Sequence, residues 1–335
     1  MDLEICCRSG QMVPGQIQSV SSPPIMAKEP GLRAMKVTPI IGSKFRSDGG
    51  ANFGLVPKKI WARLIEPDES NLIPQCAHCL LVELDDGRVG LIDTGIGDPS
   101  EFSDRERKFN GLEQDDWELM DALARNQIDP GDIHFVILTH LHWDHAGGTG
   151  RKTKKDGWEL TFPNAQHFVH GIEWDDATSS DPLLGNAYPQ ERIAALIESR
   201  LDSVILVTDA APDILPGIRL ARSGGHTEGH CVAVLTAKEI EINHPSAGDF
   251  GDVGTIVFPA DVCPTAAHLR MLYQLGFDTY PLATRLWKHE NLAEIADEGY
   301  LLIFDHDPAR IGGTIRRDPG KEYLLDRELP LVADA

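Results

Sequence analysis

Two features are scarce in this sequence: long apolar runs and cysteines. No apolar run approaches the ~18 residues that a membrane-spanning helix needs. The six cysteines are scattered through 335 residues and form no disulfide framework, which indicates a reducing compartment and predicts a cytoplasmic location. The first 34 residues lack the basic start and apolar core of a signal peptide. They are rich in Pro, Ser, Gly and Gln, which predicts a disordered N-terminal extension over residues 1–34 and a single domain over residues 35–335.

Basic residues are also in short supply. The chain has 31 Lys and Arg against 52 Asp and Glu, a formal net charge of −21. Such a surface repels phosphate backbones, so we expect no nucleic-acid partner and no membrane partner. We expect a small-molecule substrate instead, and the sequence leaves a homodimer open.

The patterned part of the chain mixes strands and helices. "CLLVELDDGRVGLIDTG" predicts a hairpin that turns at Asp85-Asp86-Gly87. Further strands are predicted at 133–138, 204–207, 217–222, 231–237, 255–260 and 300–305, and helices at 115–127 (with Asp115 as N-cap), 189–201, 265–275 and 282–299. This order predicts a layered α/β domain with mixed sheets. Two long loops, 151–165 and 175–190, are candidate lids.

The stretch "LTHLHWDHAGG" at 138–148 concentrates metal-binding side chains at the end of a predicted strand. Alternate residues of a strand point the same way, so His140 and His142 can hold one metal ion. The chain must then turn, which directs Asp144 and His145 to a second point nearby. The pair Gly147-Gly148 permits a sharp turn and a close backbone approach.

One loop cannot complete two metal sites, so other segments must contribute donors. Three later segments place such residues directly after predicted strands: "SGGHTEGH" carries His226 and His230, "FPADVCP" carries Asp261, and "LLIFDHDP" carries Asp305, His306 and Asp307.

Together, "LIDTGIGD", "THLHWDHAGG", "GGHTEGH", "PAD" and "DHDP" resemble the motifs of the metallo-β-lactamase-fold metallo-hydrolase superfamily. The resemblance extends from about Val37 to about Asp307. It implies an αβ/βα four-layer sandwich of two mixed β-sheets, with the metal ions held between the sheets.

The resemblance also implies a role for each motif residue. His140, His142 and His230 would hold the first ion, Asp144, His145 and His306 would hold the second, and Asp261 would bridge them. Asp93 would support these ligands from behind. His226 would at most do the same. The expected cofactors are two divalent ions, zinc by default, with manganese, iron or cobalt as alternatives. Asp144 and Asp261 are the expected catalytic carboxylates.

Two such ions ~3.5–4 Å apart trap a bridging hydroxide that is nucleophilic at neutral pH. The motifs most resemble those of acyl-homoserine lactonases and organophosphate hydrolases, which implies hydrolysis of a small ester-like substrate, a lactone or an organophosphate ester. The lactonase pattern has a tyrosine three residues after the bridging aspartate, where this chain has Pro264; Tyr188 and His268 are candidate replacements. The alternatives are a phosphodiesterase or ribonuclease, a thioesterase similar to glyoxalase II, and a non-hydrolytic diiron redox protein.

Overall fold

The computed structural model describes residues 34–112, 114–154, 157–179, 181–184, 187–209, 213–250 and 253–331. The disordered extension predicted over residues 1–34 therefore lies outside the described residues, apart from Ala34, which begins the first strand. Met35 belongs to this strand, and its side chain is buried.

Strands account for most of the core. They are β1 (Ala34–Asp48), β2 (Leu72–Leu84), β3 (Val89–Ile92), β4 (Phe135–Ile137), β5 (Gly150–Lys152), β6 (Trp158–Leu160), β7 (Gln166–His170), β8 (Val204–Val207), β9 (Ile218–Arg222), β10 (Cys231–Ile242), β11 (Val253–Phe258), β12 (Leu301–Ile303), β13 (Arg310–Asp318) and β14 (Glu322–Pro330). The predicted hairpin is present as β2 and β3, and its turn uses Gly87 at a φ of 87°.

Helices lie between the strands. They are α1 (Gly49–Phe53), α2 (Lys58–Trp61), α3 (Asp104–Phe109), α4 (Glu118–Arg125), α5 (Trp143–Ala146), α6 (Gly171–Thr178), α7 (Gln190–Glu198), α8 (Arg200–Ser203) and α9 (Pro281–Glu298). Helix α9 ends at Gly299, whose left-handed φ of 68° is the conformation that glycine adopts most readily.

The strands form one hydrogen-bonded path in the order β14-β13-β12-β11-β10-β1-β2-β3-β4-β7-β8, with β9 also paired to β10. The path has two halves, joined where residues 34–37 of β1 run parallel to residues 239–242 of β10. A separate ribbon pairs β5 with β6 inside the predicted loop 151–165, which is therefore partly a hairpin.

Side-chain alternation along the strands produces four layers. Leu80 and Val82 of β2 belong to a central core shared with Ala233 and Leu235 of β10, so the two halves of the path pack face to face. The opposite face of the first half packs against α4, α6 and α7, and that of the second half packs against α9. The predicted helix–sheet–sheet–helix sandwich is confirmed, with its two sheets continuous through β1 and β10.

Two details of the predicted helices are wrong. Helix α4 has Trp117, not Asp115, at its N-cap, because the Asp115 carboxylate instead accepts from Arg107 at 2.6 Å. The predicted helix 265–275 is only a short 3₁₀ turn, Ala266–Leu269. Buried Lys288 of α9 explains this, since its ammonium donates to the carbonyls of His268, Arg270 and Tyr273 and holds this segment in a loop.

Within the part of the chain that the structure describes, no helix is long and apolar enough to cross a membrane.

Candidate metal centre

Four strand ends bring the donor residues to one place. The motif at 140–145 follows β4, the loop 223–230 joins β9 to β10, Asp261 lies in a 3₁₀ turn directly after β11, and His306 lies three residues after β12. The central strands end at the same edge of the sandwich, so side chains that are far apart in sequence meet there.

The first cluster is rich in histidine. It consists of His140, His142, His226 and Asp261, whose nearest ligand atoms all lie within 4.8 Å of one another. His226 Nε2 lies 2.8 Å from Asp261 Oδ2 and 2.9 Å from His142 Nδ1. His140 Nε2 lies 3.7 Å from the same carboxylate oxygen. We call this set the histidine-rich group.

The second cluster is rich in carboxylates. It consists of His145, Asp261, Asp305 and His306, again with ligand atoms within 4.8 Å of one another. His306 Nε2 lies 3.0 Å from Asp261 Oδ1, and His145 Nε2 lies 3.6 Å from it. Asp144 borders this cluster, with Oδ2 3.5 Å from His306 Nε2, and is less buried than the other members. We call this set the carboxylate-rich group.

Asp261 belongs to both groups. Its Oδ2 faces the histidine-rich group and its Oδ1 faces the carboxylate-rich group. A carboxylate in this position has one oxygen for each of two cations, which is the arrangement that the family resemblance implies.

Hydrogen bonds behind the imidazole rings fix which nitrogen faces the centre. His145 Nδ1 is bonded to Asp93 at 2.9 Å, and His306 Nδ1 donates to the Cys76 carbonyl at 2.7 Å. His226 Nδ1 is bonded to Asp278 at 3.1 Å. In each case Nε2 is left to face the centre, as in metal-binding histidines whose other nitrogen is held by a carboxylate or a carbonyl.

Several atoms in the centre are buried without a hydrogen-bond partner among the described residues. They are Nε2 of His140 and of His230, Oδ1 of Asp261 and both carboxylate oxygens of Asp305. Uncompensated burial of polar atoms is costly, and a bound cation would satisfy lone pairs of this kind. The donor set therefore fits divalent metal ions.

Burial and neighbouring charges shift the pKa values of the histidines in the centre in opposite directions. Burial, reinforced by neighbouring imidazoles, holds the pKa of His140 well below its usual value, so the ring is neutral and has a free lone pair. Burial would also lower the pKa of His226, but Asp261 and Asp278 outweigh it and raise that pKa to about 10. A metal ion placed beside Asp261 would take over the role of that proton.

Two motif histidines, one predicted as a supporting residue and one as a ligand, lie in places that differ from the sequence-based assignment. His226, expected behind the ligands, lies inside the histidine-rich group. His230, expected as a ligand, lies beside it: its ring centre is 5.0 Å from that of His140, and its Nδ1 contacts Ser223 Oγ at 2.6 Å. The remaining predicted ligands, including Asp144 at the border, lie in or against the two groups.

The backbone around the motifs is shaped for close approach. Gly147 has an ordinary φ of −59°, so it is needed for space and not for a special conformation. A Cβ there would overlap the carbonyl oxygen of Ile96. Gly224 and Gly225 have positive φ and turn the chain so that His226 enters the centre. Asp93 also has a positive φ, 58°, and is held by Thr139, whose backbone N–H and hydroxyl donate to it at 2.8 and 2.7 Å.

Two supporting residues were not identified from the sequence. Asp278 orients His226, and no local pattern distinguishes it. Buried Glu173 of α6 accepts from the Leu141 backbone N–H at 2.9 Å and from the Thr227 hydroxyl at 2.5 Å, so it ties together the loops of the histidine-rich group. An acidic residue within the apolar stretch "GIEW" was the available signal for Glu173.

Tyr188 and His268, the two candidate replacements for the lactonase tyrosine, differ in whether they border the centre. Pro264 uses its carbonyl to accept from the His306 backbone N–H at 3.0 Å. His268 is occupied on both sides, by Thr265 Oγ1 at 2.8 Å and the Asn52 carbonyl at 2.9 Å. Tyr188 has its ring centre 5.2 Å from that of His142, so it is the candidate that borders the centre.

The comparisons agree with this architecture. Residues 77–239 match the family model of the metallo-beta-lactamase superfamily. A crystal structure of a Staphylococcus aureus protein superimposes with a TM-score of 0.75 at 24% identity, covering 91% of this chain and 99% of that one. The chain therefore has the metallo-β-lactamase fold, and the resemblance in its motifs is confirmed.

Some of the proteins that this chain resembles are lactonases. An N-acyl homoserine lactonase from a Bacillus species is 29% identical over 162 residues, which cover 45% of this chain and 55% of that protein. The match thus spans only about half the length of this curated relative. The structure of AidC, a dizinc quorum-quenching lactonase, superimposes with a TM-score of 0.61 at 19% identity, covering 86% of this chain and 93% of that one.

Proposed function

We propose that this chain is a dinuclear metal-dependent hydrolase that cleaves a small ester-like bond. The observation that carries the proposal is Asp261, whose two oxygens each face a separate group of imidazole nitrogens. Two divalent ions bound there would supply a nucleophilic hydroxide near neutral pH and would polarise the bond under attack.

The chain's own residues position and orient the site. Asp93, Asp278 and the Cys76 carbonyl fix three imidazole rings, and Glu173 fixes the two loops of the histidine-rich group. We infer that His226 is a ligand of the first ion, because its Nε2 faces Asp261 and its Nδ1 is held by Asp278. Asp144 would complete the second site from its more open side.

No cysteine nucleophile is needed. Cys231 and Cys263 follow the motif residues His230 and Asp261, but both are fully buried. Burial raises the pKa of Cys263 to about 12 and holds that of Cys231 well above its usual value. A thiol that stays protonated is a poor nucleophile.

A lactone is the first candidate substrate and an organophosphate ester the second. The lactonase relatives and the AidC structure support this order, and the net charge of −21 disfavours polyanions. We infer that Tyr188 serves in place of the tyrosine that Pro264 replaces. Burial, followed by the Glu173 carboxylate, raises the pKa of Tyr188, so its hydroxyl remains a donor at neutral pH.

Zinc is the first candidate metal, with manganese, iron or cobalt as alternatives, since imidazole and carboxylate donors accept all four. A cytoplasmic location remains a prediction; the four cysteines in the described part of the chain are buried and unpaired, which supports it.

Metal analysis combined with a substrate panel tests the proposal. Purified protein should contain close to two transition-metal ions per chain and should hydrolyse a lactone or a phosphotriester, and a chelator should abolish that activity. Hydrolysis of a phosphodiester or thioester alone would refute the lactone and organophosphate assignment. A protein that binds no transition metal would refute the dinuclear hydrolase itself.

A further inference from the structure

Asp305 is a buried carboxylate for which the sequence resemblance implies no role. It lies two residues after β12 and is 1% exposed. Neither of its oxygens has a hydrogen-bond partner among the described residues. Its Oδ2 nevertheless lies 3.4 Å from His306 Nε2 and 3.9 Å from His145 Nε2, within the carboxylate-rich group.

The two neighbouring imidazoles have no N–H to offer this carboxylate when they are neutral. His145 directs Nδ1 to Asp93, and His306 directs Nδ1 to the Cys76 carbonyl. In that neutral form each ring presents a lone pair at Nε2 to the same space that Asp305 and Asp261 face. Lone pairs and carboxylates that converge in a buried space repel one another unless a cation lies between them.

The backbone holds Asp305 in this place. Its carbonyl accepts from the His78 N–H at 2.8 Å, and the preceding Phe304 N–H donates to the Ile311 carbonyl at 2.8 Å. The following His306 N–H donates to the Pro264 carbonyl at 3.0 Å. Backbone hydrogen bonds on both sides thus fix the main chain that carries this carboxylate.

The neighbouring Asp307 provides an internal contrast. It is also buried, but its oxygens accept from the backbone N–H groups of Ala266 at 3.1 Å and Ala309 at 3.0 Å, and Arg310 lies 3.3 Å away. Asp307 therefore has a complete structural role in the loop, whereas Asp305 has none.

We propose that Asp305 is a further carboxylate ligand of the metal ion in the carboxylate-rich group, in addition to Asp261 and the more open Asp144. The inference rests on the proposed dinuclear function and specifies it further, because it gives the second ion more oxygen donors than the first. Carboxylate donors suit manganese better than imidazole donors do, so the site of the second ion would discriminate less strongly between zinc and manganese.

The test is a titration of metal-depleted protein with Zn²⁺ in competition with a chromophoric chelator. Wild-type protein should bind two ions. Asp305→Asn, which keeps the shape of the side chain, should weaken one of the two sites by about 100-fold or more, at or beyond the upper end of the range for residues that only orient a ligand. Asp307→Asn, the matched control, should keep both affinities while lowering the melting temperature.

Each outcome bears on a different claim. If wild-type protein bound no metal, both the proposed function and this inference would fail. If wild-type protein and Asp305→Asn bound two ions with the same affinities, only the role of Asp305 would be refuted. An equal loss in Asp305→Asn and Asp307→Asn would show a general distortion of the loop and would also refute it.

Melting temperatures provide a second readout that does not depend on titration. In metal-loaded protein, Asp305→Asn should lower the melting temperature, because a ligand that stabilises the folded state through its ion is lost. In chelated protein the same substitution should leave the melting temperature unchanged or raise it, because it removes a buried carboxylate that has no hydrogen-bond partner among the described residues. A decrease of equal size in both states would indicate a structural residue and would overturn the proposal.

Discussion

The two donor groups share Asp261 and differ in nearly everything else. The histidine-rich group joins three imidazoles to that carboxylate, whereas the carboxylate-rich group joins two imidazoles to it and adds Asp305, with Asp144 at its border. The first is backed by Asp278 and Glu173, and the second by Asp93 and a main-chain carbonyl. One shared carboxylate can therefore link two sites of different chemical character, and each site has supporting residues of its own that can be changed separately.

The largest effect should come from removing the residue that the groups share. Asp261→Ala leaves two cations facing each other without their common anion. We expect at most one metal ion per chain and a loss of turnover of about 1,000-fold or more. Elemental analysis and hydrolysis assays measure both. A metal-replete, fully active Asp261→Ala protein would contradict the assignment of a shared site.

The two histidines of "GGHTEGH" should differ in how much they contribute to metal affinity. His226→Ala should weaken one site by about 100-fold, because it removes a ring whose Nε2 lies 2.8 Å from Asp261. His230→Ala should have a smaller effect on metal affinity, since its ring lies beside the group and contacts Ser223. Metal titration of the two variants decides between them. The opposite order would restore the ligand set implied by the sequence resemblance.

These two histidines also show where prediction from sequence is limited. The spacing H-x-H-x-D-H is short-range, so it brings His140, His142 and His145 together whatever the rest of the chain does. In the second motif either histidine could reach the centre. The choice depends on contacts across the fold, in which the backbone N–H groups of Thr279 and Tyr280 donate to the carbonyls of His226 and Gly225 at 2.9 and 2.8 Å.

Contacts between distant parts of the chain also account for the other differences between the sequence-based predictions and the structure. The strands that were predicted, and helix α9, could be found because their apolar patterns are local; β1, β7, β13 and β14 were not predicted. The residues behind the rings are distant in sequence: Asp278 is 52 residues from His226, and Cys76 is 230 residues from His306. The predicted helix at 265–275 failed for a related reason, since its carbonyls are engaged by Lys288 from another element.

The supporting carboxylates should allow each group to be weakened by itself. Asp278→Asn should lower the affinity for the ion of the histidine-rich group by about 10–100-fold and leave the other ion in place. Asp93→Asn should do the reverse, with an added loss of stability because Asp93 also accepts from Thr139. Two-step metal titrations of both variants measure this. Loss of both ions in either variant would show that the groups are not separable.

The smallest expected effect is a difference in metal preference between the two groups. Both groups should bind zinc more tightly than manganese, which follows the general order of affinity of divalent ions for such donors. The preference for zinc should be weaker by about tenfold in the carboxylate-rich group, where oxygen donors replace imidazole nitrogen. Metal-depleted protein titrated with Mn²⁺ after one equivalent of Zn²⁺ should give a mixed protein with manganese in that group, which electron paramagnetic resonance detects. Asp305→Asn should reduce the manganese signal, whereas Asp307→Asn should preserve it. Equal zinc-to-manganese ratios at both sites in wild-type protein would show that the difference in donor atoms has no consequence for metal selection.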